Sequence, residues 1–168
     1  MKVLIVSDTH GRDENLEKVM EYEKPVDFFI HCGDIEGRED YIEALAECPV
    51  CLVSGNNDFF SELPREEEIT LCGKRVLVTH GHYYGVSLDL GRILEEARDR
   101  DMEIVMFGHT HKPLVYEKRG TTLINPGSLS YPRQAGRKPS YMVLNTDKAG
   151  NFSFEIRYLN KNKKTVDN

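Results

Sequence analysis

Seven side chains in this sequence carry donor atoms suited to divalent cations, and each stands just after a short apolar run. They are Asp8, His10, Asp34, Asn56, His80, His109 and His111. They arrive in five segments: Asp8-Thr9-His10, Gly33-Asp34, Gly55-Asn56-Asn57-Asp58, His80-Gly81-His82 and Gly108-His109-Thr110-His111. Any one of these histidines alone would be read as an ordinary structural residue. Together they form a mixed set of carboxylate, imidazole and amide-oxygen donors, which suits Mn²⁺, Fe²⁺, Zn²⁺ or Ni²⁺. Seven donors are enough for two ions held ~3.5–4 Å apart by one shared carboxylate, an arrangement used to hydrolyse phosphate esters.

Something must bring these segments together, and the apolar runs indicate what. Residues 3–6, 28–30, 50–53, 76–78 and 104–107 read as buried strands, and ligand sites of α/β folds collect at the ends of such strands. Asp8/His10 and His109/His111 are alternate pairs, so in an extended chain each pair shares a face while the intervening Thr packs away. Gly33, Gly55 and Gly108 precede ligands, where a missing side chain permits a sharp turn or a close approach.

The first half alternates strands 2–7, 26–31 and 50–53 with helices over about 13–22 and 38–47, which favours right-handed crossovers and a parallel sheet. Farther on, 69–71 and 75–79 flank Cys72-Gly73-Lys74 as a hairpin, and a third helix spans about 87–100. Strand 103–107 follows, then strands 114–118, 121–124, 140–145 and 152–159 with no helix between them. The expected fold class is α/β: two stacked mixed sheets flanked by helices, with a mixed sheet built first and an antiparallel one later. One domain is expected over 1–160, with 161–168 a polar, frayed tail.

Composition narrows the function. A formal net charge of −6 argues against broad nucleic-acid binding, which needs a basic face. An anionic substrate remains acceptable, because two divalent ions would dominate the field around Asp8 and Asp34. The longest apolar runs fall far short of the ~20 residues that span a bilayer, and the opening residues read as the first strand of a cytoplasmic protein rather than a signal. Cys48 and Cys51 form a lone C-x-x-C pair, expected to pack as small apolar side chains in a reducing compartment. His31 and Cys32 are expected to pack, and Asp89 and Glu66-Glu67-Glu68 to be solvated surface.

From Asp8 to His111 these motifs resemble, in order, the calcineurin-like metallophosphoesterases and, within them, the YfcE-type branch of small phosphodiesterases. Asn125-Pro126-Gly127-Ser128 with Pro132-Arg133 is similar to a loop of that branch. The resemblance implies one metal on Asp8, His10, Asp34 and His111, and another on Asp34, Asn56, His80 and His109. Mn²⁺ is the expected ion, with phosphodiesters cleaved by a bridging hydroxide. It also implies a nearby supporting carboxylate, Asp58. Asn57 stands where the wider family has a histidine that serves the leaving group; a neutral amide can contact substrate but cannot act as a general acid near pH 7. His82 is then the rival proton donor, and Ser128 and Arg133 are candidates to contact substrate, Arg133 through bidentate phosphate binding. Two alternatives come with the resemblance. One is a protein-interaction scaffold like the retromer subunit of the VPS29 type, which departs at positions equivalent to Asp34 and Asn56. The other is a phosphomonoesterase acting on a small metabolite. A homodimer is in keeping with the branch.

Overall fold

The computed structural model describes residues 1–147 and 150–159, so the expected tail at 161–168 lies outside the described residues. Among the described residues ten strands form two five-stranded sheets. The first takes β1 (Lys2–Val6), β2 (Phe28–His31), β3 (Val50–Leu52), β9 (Ser140–Thr146) and β10 (Phe152–Tyr158) in the order β10-β9-β1-β2-β3. The second takes β4 (Glu66–Leu71), β5 (Lys74–Thr79), β6 (Ile104–Met106), β7 (Pro113–Lys118) and β8 (Thr121–Pro126) in the order β4-β5-β6-β8-β7. In each, three neighbouring strands run parallel: β1, β2 and β3 in one, β5, β6 and β8 in the other.

Alternation along β1 shows how four layers arise. Val3 and Ile5 face the second sheet, among Val76, Val78, Ile104, Met106 and Ile124. Leu4 and Val6 face the other way, against Leu16, Val19 and Met20 of α1 (Glu14–Glu23) and Ile42 of α2 (Glu39–Ala46). Across the molecule Leu77, Val105 and Leu123 meet Ile93 and Ala97 of α3 (Gly91–Asp99). A strand covered on both faces has no room for polar alternation, so its sequence is a continuous apolar run. Burying each such side chain contributes roughly 1.5–3 kcal/mol.

Three expectations change. The late strands do not make an antiparallel sheet of their own: β9 pairs antiparallel with β1, so both sheets are mixed. Strand β4 starts at Glu66 rather than at 69, so the solvated run Glu66-Glu67-Glu68 is part of it, with Glu66 and Glu68 held by Arg100 and Glu68 also by Arg75. The third helix starts at Gly91, because a 3₁₀ turn at His82–Tyr84 and the left-handed Gly85 delay it, and Asp89 Oδ1 accepts the Gly91 N–H at 2.6 Å. The Cys72-Gly73 hairpin holds, with positive φ at both central residues, 46° and 84°, as a type I′ turn requires.

Candidate metal centre

The C-terminal ends of the parallel strands supply every predicted ligand. β1 leads into Asp8 and His10, β2 into Asp34, β3 into Asn56, β5 into His80, and β6 into His109 and His111. Backbone hydrogen bonds join neighbouring loops within each sheet. Asp8 N–H donates to Gly33 O at 3.0 Å, His10 N–H to Asp34 O at 2.9 Å, and Gly108 N–H to His80 O at 3.2 Å. Glycine is required where loops touch. A Cβ on Gly55 would lie 2.1 Å from Asp34 Oδ1, and one on Gly108 would lie 2.0 Å from Ser7 Oγ.

The paired ligands meet by a different route from the expected extended chain. Asp8, His10, His109 and His111 all have left-handed backbone, φ 55°, 50°, 66° and 56°, and Asp34 joins them at 58°. Left-handed conformations cost L-residues energy and cluster at functional sites. Here they curl each segment so that both side chains of a pair turn into one pocket.

Donor atoms of Asp8, His10, Asp34 and His111 all lie within 4.8 Å of one another. His111 Nε2 stands 3.1 Å from Asp8 Oδ1, and His10 Nε2 stands 3.7 Å from Asp34 Oδ2. The rest of each imidazole is spoken for. His10 Nδ1 faces Glu36 Oε1 at 2.7 Å and His111 Nδ1 faces Tyr131 O at 2.7 Å, so each Nε2 carries its lone pair inward. Asp8 Oδ1 and His10 Nε2 are buried without a hydrogen-bond partner. Inward-facing acceptors with no proton between them are what a cation would satisfy.

Beside them is a second group. Asn56 Oδ1 lies 3.1 Å from His80 Nε2 and 2.8 Å from His109 Nδ1, while His80 Nε2 is 3.5 Å from Asp34 Oδ2. His80 gives its Nδ1–H to Cys32 O at 2.7 Å, so a neutral His80 turns a bare lone pair toward two oxygens. A proton or a metal relieves that. Burial opposes charge on His80, but Asp34 and Asp8 outweigh it and raise its pKa. Burial likewise opposes ionisation of Asp8 and Asp34, yet His111 and His80 beside Asp8, and His80 and Asn57 beside Asp34, hold both carboxylates below their ordinary range. Both groups therefore fit divalent ions, with Asp34 common to them.

Asp58, nine-tenths buried, accepts four backbone N–H groups: Oδ1 from Ile35 and Glu36, Oδ2 from Asp34 and Gly55. It ties the loop after β2 to the loop after β3, which leaves no free lone-pair direction for a reacting group. Asn57 donates from its backbone and its Nδ2 to Asp34, at 2.9 and 2.7 Å. His82 rings His80 and His109 at centroid distances of 5.3 and 6.1 Å, and burial with those two neighbours lowers its pKa to about 4. Ser128 departs from its expected substrate contact. It is fully buried, its hydroxyl donating to Asp8 O and accepting from Ser130 and Tyr131 N–H, because the loop must be closed behind Asp8. Arg133 is exposed beside His10 and His111 in an open cleft.

Two of these supports escape sequence reasoning: Glu36 is one more acid among many, and the Tyr131 carbonyl is a backbone group with no sequence signature. His31 does pack, as expected, and in a defined tautomer: its Nδ1 accepts from Gly33 N–H at 3.2 Å, so Nε2–H donates to Thr9 Oγ1 at 3.0 Å. Burial lowers its pKa to about 3, keeping it neutral. Cys32 and Cys51 are buried, and all four cysteines are free.

Residues 1–149 match the calcineurin-like phosphoesterase superfamily domain, and the chain belongs to that family. It is 37% identical over 147 residues to the probable metallophosphoesterase YsnB of Bacillus subtilis, covering 86% of this chain and 83% of that one. It is 29% identical over 172 aligned positions to the phosphodiesterase YfcE of Escherichia coli, covering 88% and 89%. The crystal structure of a predicted phosphoesterase from Streptococcus pneumoniae superposes with a TM-score of 0.81 at 28% identity, covering 94% and 88%. Among the described residues no helix is long and apolar enough to cross a membrane.

Proposed function

We propose that the chain hydrolyses phosphodiesters at a site for two divalent ions, Mn²⁺ foremost, held by Asp8, His10, Asp34 and His111 and by Asp34, Asn56, His80 and His109. The carrying observation is that two groups of inward-facing acceptors, short of protons, share the Asp34 carboxylate. Bound ions would neutralise charge on the phosphate and acidify water toward ~7. The chain's own residues do the positioning. Asp58 fixes the Asp34 and Asn56 loops in register, Asn57 orients Asp34, and Glu36 and the Tyr131 carbonyl hold the His10 and His111 rings with Nε2 inward. Arg133, exposed beside His10 and His111, is the group placed to grip an anionic oxygen of the substrate.

Retention of Asp34 and Asn56 in the cluster supports an enzyme over a scaffold, and the kinship with a phosphodiesterase supports a diester over a monoester. A metal-dependent hydrolysis screen over diesters, monoesters and cyclic nucleotides tests both choices. Mn²⁺-dependent turnover of diesters faster than the matching monoesters is expected. Monoester preference would make the chain a phosphatase, and no hydrolysis with any divalent ion would favour the scaffold.

A further inference from the structure

The chain carries more acids than bases, and five of its eleven arginines are neutralised by them. Arg38, Arg75, Arg98, Arg100 and Arg157 are each ion-paired with a carboxylate. Among the described residues Arg12, Arg65, Arg92, Arg119, Arg133 and Arg137 form no such pair, and three of these six, Arg12, Arg133 and Arg137, stand together on one flank of the metal centre. Arg133 and Arg137 line an open cleft of about 650 Å³ together with His10, His111 and Tyr131, and among the described residues no carboxylate lines it. Arg12 stacks on the Tyr131 ring from 4.6 Å, and Tyr131 in turn sits edge-on to His10 at 5.1 Å. Three guanidinium groups left unneutralised beside one cleft are a poor arrangement for stability in isolation, since like charges repel. A planar fork that matches an oxyanion bidentately gives the arrangement a purpose.

We propose that this cleft is a second anion site, receiving a phosphate or similar oxyanion carried elsewhere on the substrate than the scissile group. The inference rests on the phosphodiesterase reading and narrows it: the preferred substrates are small diesters with an additional anionic group. Arg133 and Arg137 hold that group, while Arg12 is kept at the rim by Tyr131. The scissile phosphate is received at the metal ligands, so the two arginines that line the cleft beside them are left for a further charge.

The test compares two competitive inhibitors of bis(p-nitrophenyl) phosphate hydrolysis by the Mn²⁺-loaded protein, phenyl phosphate and its para-phosphonate. Both offer the metals the same phosphate, so a difference reports the extra anion. The para-phosphonate is expected to inhibit roughly tenfold more tightly or better, and the double variant R133Q/R137Q should erase that advantage. Equal inhibition by the two compounds, or an advantage that survives in R133Q/R137Q, overturns the proposal. A second readout needs no turnover. In the metal-free protein, phenylphosphonate should shift the guanidinium NMR resonances of Arg133 and Arg137, and phenol should not. If bis(p-nitrophenyl) phosphate is not hydrolysed at all, the phosphodiesterase reading fails, and the guanidinium titration still decides the cleft: shifts support the anion site and their absence overturns it.

Discussion

Asp58→Asn isolates the carboxylate that holds two ligand loops together without facing the metals. Each Asp58 oxygen accepts two backbone N–H groups, Oδ1 from Ile35 and Glu36 and Oδ2 from Asp34 and Gly55. An amide can keep one pair, but its NH₂ then confronts the other pair donor to donor. Two hydrogen bonds to a charged acceptor are lost, each worth about 1.5–3 kcal/mol, so about 3 kcal/mol is a lower figure. In a chain of this size each kcal/mol moves Tm by about 2–4 °C, giving a drop of about 6–12 °C in the metal-free protein. Freed loops should also weaken Mn²⁺ binding by about 10–100-fold, the usual effect of removing a partner that orients ligands. Differential scanning calorimetry in EDTA and Mn²⁺ titration calorimetry measure the two effects. A variant with Tm within about 2 °C of wild type and unchanged Mn²⁺ affinity would refute the positioning role.

Gly55→Ala should weaken Mn²⁺ binding at least as much, because its Cβ would fall 2.1 Å from Asp34 Oδ1 and 2.4 Å from Asp34 N. Gly37→Ala is the control: its Cβ meets nothing within 4 Å, so it should cost about 1–2 kcal/mol of backbone strain and leave metal affinity alone in the same titration. With Asn57 committed to Asp34 and unable to give up a proton, aryl diesters with acidic phenols should be cleaved far faster than alkyl diesters. Asn57→His should help the alkyl substrates most, by up to the ~10²–10⁴-fold of general acid catalysis; a flat dependence on leaving-group pKa would contradict this. Away from the site, buried Glu23 binds Lys2, Arg157 and Tyr141, and these partners overcome burial to lower its pKa below the ordinary 4.5. Because the native pKa is depressed, its stabilisation is complete above pH 4.5 and fades as pH falls through the native value. Glu23→Gln should therefore cost about 1.5–3 kcal/mol near neutral pH and progressively less in acid denaturation curves below pH 4.5, and a pH-independent loss would count against the ionic origin.

Much of this site was legible because apolar runs and their polar endings are local features. Every expected ligand stands at the end of an expected strand, since a strand buried on both faces announces itself and the next residue has few places to go. What failed was non-local. Nothing in Ser140–Thr146 says that β9 will pair with β1, 137 to 143 residues earlier, as well as with β10. The left-handed φ of Asp8 or His111 is set by tertiary hydrogen bonds such as Asp8 N–H to Gly33 O, and an Asp-Thr-His string does not encode it. Ser128 was expected to touch substrate because its loop resembles one of the YfcE-type branch, whereas this loop folds inward to close over the Asp8 carbonyl. Arg12 and Arg137 went unnoticed for the complementary reason: only the fold brings them beside Arg133, Tyr131 and the ligands His10 and His111.

The most direct measurement is metal content after Mn²⁺ reconstitution and desalting, by mass spectrometry of the metal, for wild type beside Asp34→Asn. Sharing of Asp34 between two sets of donors predicts two ions per wild-type chain, and one or none when that carboxylate becomes an amide. One ion or fewer per wild-type chain, or two retained by Asp34→Asn, would contradict it.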